Sequence, residues 1–145
     1  MVNAPDGVEL KPDLTDDVVL VTGATRGIGA EIAAGLVELG ATVYAGARDP
    51  DDVTAPDQRA VRLDVTDDDE VRAEIDRVER EAGALDVLVN NAGVFHRSGP
   101  LHEMDLADFD RTTAVNLRGP VTVTKHALPR LLDGTGGRVV TLSSG

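Results

Sequence analysis

Thr22-Gly23-Ala24-Thr25-Arg26-Gly27-Ile28-Gly29 decides the reading of this chain. Val18-Val19-Leu20-Val21 precedes it, a short apolar, β-branched run typical of a strand covered on both faces. After it, apolar residues fall at Ile28, Ile32, Leu36 and Leu39, which is helical spacing, and Gly40 stops the helix. A glycine trio between a strand and a helix turns the chain tightly, lets backbone approach a pyrophosphate and lets the helix pack close to the strand. The helix N-terminus then offers free N–H groups and a partial positive charge to phosphates. The spacing here is GxxxGxG rather than GxGxxG. A plain tight turn would use the same glycines, but the flanking strand and amphipathic helix favour a phosphate loop.

Working outward, strands and helices keep alternating. Thr42–Ala45 reads as a second strand, Asp49–Gln58 as an Asp- and Pro-rich loop and Val61–Leu63 as a third strand. Thr66 is expected to cap a helix that opens with Asp67, Asp68 and Asp69 at its positive end. That helix carries the stripe Val71, Ile75, Val78 and Ala82, and Gly83 ends it. Leu85–Val89 reads as strand four, Asp105 as the cap of a long helix through Leu132, and Arg138–Leu142 as strand five. Such alternation predicts an α/β fold, a parallel sheet wound with helices on both faces. Residues 1–16 read as a loose polar leader and 17–145 as one domain, within the size a single core supports.

Composition removes several function classes. The chain is 41% hydrophobic and 28% charged and has no cysteine, which excludes disulfides, thiolate nucleophiles and cysteine metal sites. No apolar run approaches the ~20 residues of a spanning helix. The N-terminal segment lacks the charged and apolar regions of a secretory signal, so a cytoplasmic location is expected. A formal net charge of −12 argues against nucleic acid, which needs a basic footprint. There are 18 Asp against 8 Glu and 12 Arg against 2 Lys, a usage that resembles salt-loving organisms, although an ordinary acidic protein would also fit.

An NAD site usually places Asp or Glu about 20 residues beyond the glycine loop, at the end of strand two. Ala47-Arg48 stands there instead, and Asp49 comes one step too late. Arg48, with Arg26 from the loop itself, can bind a ribose 2′-phosphate through charge-assisted bonds. That predicts NADP(H) as the preferred cofactor, with NAD(H) as the lesser one. Asp64 follows strand three, where its carboxylate can accept from an adenine amino group; a turn or capping role suits it equally. Asn90-Asn91-Ala92-Gly93 follows strand four, where side-chain amides can tie loops together and Gly93 leaves room for a ribose. Pro120 has no N–H to give the carbonyl of Asn116, so that carbonyl loses its α-helical partner and can hold a water. His96 and His102 read as loop residues, and no metal site is expected.

Together these motifs resemble the short-chain dehydrogenase/reductase family over residues 17–145. TGATRGIG resembles its TGxxxGxG loop, Asp64-Val65 its adenine-contacting pair, and NNAG its motif after strand four. Asn116 matches its active-site asparagine, and Thr141-Leu142-Ser143-Ser144 the segment carrying its serine, with Ser144 in that role. The resemblance implies a Rossmann-type doubly wound sheet, here truncated after the fifth strand, and hydride transfer between a nicotinamide and a carbonyl or alcohol. It implies cofactor contacts from Thr22, Gly23, Thr25, Arg26, Gly27, Ile28, Gly29, Arg48, Asp64, Val65, Asn90, Ala92 and Gly93, and catalytic roles for Asn116 and Ser144. It further implies a small-molecule substrate and, as is usual in the family, a homo-oligomer. The family's Tyr-x-x-x-Lys is absent: Tyr44 is the sole tyrosine, and Arg48 stands four residues on. Strand five is then expected at an exposed edge, and Leu117, Val121 and Leu128 on a bare helix face. The alternative reading is a non-catalytic nucleotide-binding remnant.

Salt should stabilise the fold, because screening relieves the self-repulsion of a −12 chain. Thermal melts from low to molar potassium chloride are expected to show a rising midpoint; a flat or falling one removes the salt-loving reading.

Overall fold

The computed structural model describes residues 2–3, 9–10, 12–95, 99–134 and 136–143. Five parallel strands form the sheet: β1 (Val18–Thr22), β2 (Thr42–Ala47), β3 (Arg59–Arg62), β4 (Val87–Asn90) and β5 (Arg138–Thr141). Their order is β3-β2-β1-β4-β5, with Val19 opposite Val43 on one side and Val87 on the other. The direction of winding reverses at β1, which puts the switch point between β1 and β4, where doubly wound sheets bind ligands. A short antiparallel pairing of Val2–Asn3 with Glu9–Leu10 lies in the leader, and the Leu14 amide donates to the Leu39 carbonyl.

Strand alternation sorts the core into two layers. Val18, Leu20, Tyr44 and Leu88 pack with Val71, Ile75 and Val78 of α2 (Asp68–Ala82) and with Val123, Ala127 and Leu131 of α4 (Gly119–Asp133). On the other face Val19, Val21, Val43, Ala45 and Val89 pack with Ala33, Ile32 and Leu36 of α1 (Gly27–Glu38). The continuous apolar runs of β1 and β2 follow from this double cover. At the far edge Val139 and Val140 of β5 are 43% and 50% exposed, and Leu117, Val121 and Leu128 are 66%, 62% and 43% exposed, as the sequence led one to expect. Among the described residues no helix is long and apolar enough to cross a membrane.

Two local expectations change. The α2 N-cap is Asp67, whose side chain accepts from the Glu70 amide. Thr66 stands one residue before the cap position, and its hydroxyl donates to Asp64. The long helix is not uniform either: α3 (Leu106–Thr113), capped by Asp105, runs into a π-helical turn at Ala114–Arg118 before α4. There the Gly119 amide reaches back five residues to the Ala114 carbonyl. Pro120, which cannot donate to Asn116, follows at once, so the wider turn sits where a regular bond is lost.

Helix α1 seats against the sheet's carboxyl end only because residue 29 has no side chain. A Cβ on Gly29 would overlap the Gly23 carbonyl oxygen and Asn91 Nδ2. Gly29→Ala must therefore push α1 or the loop outward. We expect a loss of about 1–3 kcal/mol in urea unfolding, the usual cost of overpacking. A variant as stable as the parent would show that this seat yields freely.

Candidate functional site

The site is built by loops that leave the carboxyl ends of β1, β2, β3 and β4 around an open cleft of about 1030 Å³. That volume lies at the upper end of small-molecule sites. Gly23, Thr25, Arg26, Gly27, Ile28 and Gly29 line it from the glycine loop, Arg48 from beyond β2, Asp64 and Val65 from beyond β3, and Ala92 and Gly93 from beyond β4. The glycines of the loop divide the work. Gly23, at φ +64°, turns the chain at the end of β1, and its missing Cβ would meet the Ala92 backbone 2.8 Å away. Gly27, at φ +55°, turns into the helix with nothing within 4 Å of where a Cβ would be. It leaves a bare backbone facing the cleft.

The start of α1 is suited to an anion. Its N-cap, Arg26, makes no side-chain cap bond, and its first turn contains no acidic residue. Helices α2 and α3, by contrast, are both capped by aspartates. An acid-free, uncapped N-terminus beside a glycine cradle has the donor groups and polarity that a pyrophosphate needs.

Thr22 and Asn90 stand behind the cleft rather than in its wall. Thr22 is buried, and its hydroxyl accepts from the amides of Asn91 and Ala92, at 3.0 and 2.9 Å. Asn91 returns the connection, its Nδ2 donating to the Thr22 and Gly23 carbonyls at 3.1 and 3.0 Å. Asn90 is also buried and donates to the hydroxyls of Thr124 and Thr141, at 3.1 and 3.4 Å. Its Oδ1 has no hydrogen-bond partner among the described residues. The side chain of Asn116 clamps the loop beyond Gly93: Nδ2 donates to the Val94 carbonyl at 2.7 Å, and Oδ1 accepts the Val94 amide at 2.8 Å. Ser144 and His96 lie outside the described residues. His102 is exposed and 3.6 Å from Glu103, and among the described residues no group of side chains is disposed to hold a metal.

Asp64 holds its own turn and also faces the cleft. It lines the cleft, and its Oδ1 accepts the amide and hydroxyl of Thr66 at 2.9 and 2.7 Å. The Thr66 hydroxyl above all holds the Asp64 carboxyl below its ordinary range; the Thr66 amide and the charges of Arg48 and Arg111 add to this, and partial burial opposes it. The group is thus an anion, able only to accept.

Asp52 and Arg111 were not anticipated, and Asn91 does more than the loop-tying expected of it. Asn91 lines the cleft as well as tying its loops. Asp52 lines the cleft from the short turn Pro50–Asp52, whereas Asp49, the acid considered from the sequence, spends its side chain on the Asp51 amide. Arg111 lines it from α3 with Ala114 and Val115 of the π turn. Helical spacing puts Arg111 and Val115 on one face, but only the packing of that helix says which way the face looks. Tyr44 is not part of the cleft: it is buried, accepts from Arg59 at 2.8 Å and donates to Glu81 at 3.3 Å.

Comparison with known proteins agrees with this geometry. The family described as short chain dehydrogenase matches residues 17–145. Cis-4-hydroxycyclohexanecarboxylate dehydrogenase of Sinomonas cyclohexanicum is 44% identical over 135 residues, covering 88% of this chain and 54% of that protein. The ligand-free aldohexose dehydrogenase of Thermoplasma acidophilum superposes with a TM-score of 0.83 at 35% identity, over 92% of this chain and 50% of that one. A metagenomic short-chain oxidoreductase in complex with NADP superposes with a TM-score of 0.82 at 38% identity, over 90% and 63%. This chain spans about half the length of the curated relatives it matches. With a glycine cradle at the switch point of a doubly wound sheet and a family match from residue 17 to residue 145, the chain belongs to the short-chain dehydrogenase family.

Proposed function

We propose that residues 17–145 are the dinucleotide-binding domain of an NADP(H)-dependent oxidoreductase that moves hydride between a nicotinamide and a small carbonyl or alcohol substrate. The observation that carries this reading is the cleft at the β1/β4 switch point, with bare glycine backbone and an uncapped helix at its centre and Arg26 and Arg48 in its wall. The fit is chemical. The start of α1 offers donors to the pyrophosphate, the Asp64 carboxylate accepts from the adenine amino group, and the arginines oppose the charge of a 2′-phosphate. Ala92 and Gly93 bound the cleft beside the loop that Asn116 clamps, on the side we assign to the nicotinamide ribose. A bound NADP(H) supplies the hydride or accepts it. The chain's own part is to hold and orient the cofactor, with the Asn116 carbonyl holding a water and Ser144 directing the substrate oxygen.

The 2′-phosphate assignment has a direct test. Calorimetric titration of the 145-residue chain should show NADPH binding about tenfold more tightly than NADH, the order expected of one charge-assisted contact. Arg48→Ala should erase most of that difference. Equal affinity in the parent, or an NADH preference that survives Arg48→Ala, overturns the assignment.

The 145 residues contain no Tyr-x-x-x-Lys, and positioned general-acid catalysis typically contributes ~10²–10⁴-fold. The chain of these residues alone should therefore bind NADPH without oxidising it against a panel of ketones and aldehydes. The same chain extended by a family-like segment bearing Tyr-x-x-x-Lys should turn over. Cofactor binding with no activity in either form favours the non-catalytic alternative. Turnover by the 145 residues alone, lost on Ser144→Ala, would show that the motif is dispensable.

A further inference from the structure

We propose that Glu70 of α2 is a positioning residue for the adenine end of the cleft, holding the Asp64 main chain so that one carboxylate oxygen is presented to either nicotinamide dinucleotide. The inference rests on the dinucleotide reading above and adds to it a residue that does not itself line the cleft.

The contact is direct. Glu70 Oε1 accepts the Asp64 amide at 2.6 Å. β3 lies at the edge of the sheet, and the Leu63 amide donates to the Ala47 carbonyl at 2.7 Å. The amide of the next residue therefore turns away from β2, with no strand to receive it. Glu70 receives it from the first turn of α2. The helix cap sets Glu70 in place, since Asp67 Oδ1 accepts the Glu70 amide at 2.9 Å. A glutamate at this helical position ordinarily reaches back to the amide of the cap residue. Here the Asp67 amide is already given to the Asp64 carbonyl at 3.0 Å, and the Glu70 side chain reaches three residues further back instead. Its other oxygen, Oε2, accepts from Arg62 Nε at 3.1 Å, which ties the carboxylate to the end of β3.

The consequence falls on Asp64. Its amide is held by Glu70, its carbonyl by the Asp67 amide, and its Oδ1 by the amide and hydroxyl of Thr66. Among the described residues Oδ2 accepts no hydrogen bond, and Asp64 lines the cleft. The buried side chains of Leu63 and Val65 anchor the chain on either side but do not by themselves fix the peptide between them. The Glu70 bond fixes that peptide plane, and with it the direction in which the carboxylate leaves the chain. One oxygen left over on an otherwise committed residue suits a single donor such as an adenine amino group.

That amino group is common to NADPH and NADH. Glu70→Ala should weaken both by about fivefold and leave their ratio unchanged, in contrast to Arg48→Ala. Two conservative variants separate reach from charge. Glu70→Gln keeps an oxygen for the Asp64 amide and should stay within about twofold of the parent. Glu70→Asp keeps the charge but is one methylene too short, and should behave like Glu70→Ala. Because Glu70 acts through Asp64, the loss should vanish when Asp64→Ala is already present, whereas a general loosening of the cleft would add to it.

The experiment is calorimetric titration of the 145-residue chain and these single and double variants with NADPH and with NADH, beside thermal melts of each. Should Glu70→Ala melt below the titration temperature, the Glu70→Asp and Glu70→Gln pair carries the comparison, alone and with Asp64→Ala. Equal weakening of both nucleotides by Glu70→Ala and Glu70→Asp, recovery in Glu70→Gln and no further loss on top of Asp64→Ala support the proposal. Parent-like binding by Glu70→Ala or Glu70→Asp, a Gln variant no better than Ala, a loss confined to NADPH, or a loss that persists beside Asp64→Ala overturns it and leaves the dinucleotide reading in place. An Asp64→Ala chain that binds like the parent removes the adenine contact and this proposal with it. A parent chain that binds neither nucleotide overturns the dinucleotide reading as well.

Discussion

The joint between the ends of β1 and β4 is the constraint on which the site depends. It is made by one buried hydroxyl and one amide. Thr22 accepts from two successive backbone amides of the neighbouring loop, and Asn91 donates to two carbonyls of the glycine loop. Parallel strands end with unpaired backbone groups, and these four bonds satisfy them. Gly23 and Gly29 make the joint possible because a Cβ on either would strike Ala92 backbone, the Gly23 carbonyl or the Asn91 amide. The cleft therefore has a floor of backbone at the switch point, the place where a phosphate can approach most closely.

The second layer of support is the α3–π–α4 rod, which carries Arg111, Val115 and Asn116. It is tied to α2 by Arg130, which reaches Glu79 and Asp76 at 2.6 and 2.8 Å, and by His126, 3.1 Å from Asp68. Such partly exposed pairs contribute little each. The larger contribution comes from Val123, Ala127 and Leu131, buried against Val71, Ile75 and Val78 and the sheet. At the other end of the rod, the Asn116 amide meets Val94. Asn116 so acts on the loop through its side chain, while Pro120 leaves its carbonyl without the usual α-helical donor.

The charge of the cleft runs against that of the chain. A protein of net charge −12 sets Arg26, Arg48 and Arg111 around a wall whose acids are Asp52 and Asp64. Elsewhere arginines are largely consumed in ion pairs, as with Arg62, Arg72, Arg77 and Arg130. Local placement of a few cations, rather than overall charge, is what suits this surface to a phosphorylated ligand.

The order of strands and helices was legible in the sequence because each element advertises itself locally. Unbroken β-branched runs mark strands covered on both faces, a stripe of Val71, Ile75 and Val78 marks α2, and the spacing of Gly23, Gly27 and Gly29 between a strand and a helix marks the phosphate loop. Those signals span a few residues and survive without tertiary context. The roles of polar side chains did not survive in the same way. Thr66 looked like a cap, but the helix starts at Asp68, so Asp67 accepts the Glu70 amide while the Thr66 hydroxyl donates to Asp64. Thr22 looked like a cofactor contact and is buried as a brace, Asp49 is spent on its own turn while Asp52 faces the cleft, and Arg111 carried no local mark at all. A hydroxyl or carboxylate near a loop has several partners within reach, and only the packed arrangement of loops from distant parts of the chain decides which one it meets.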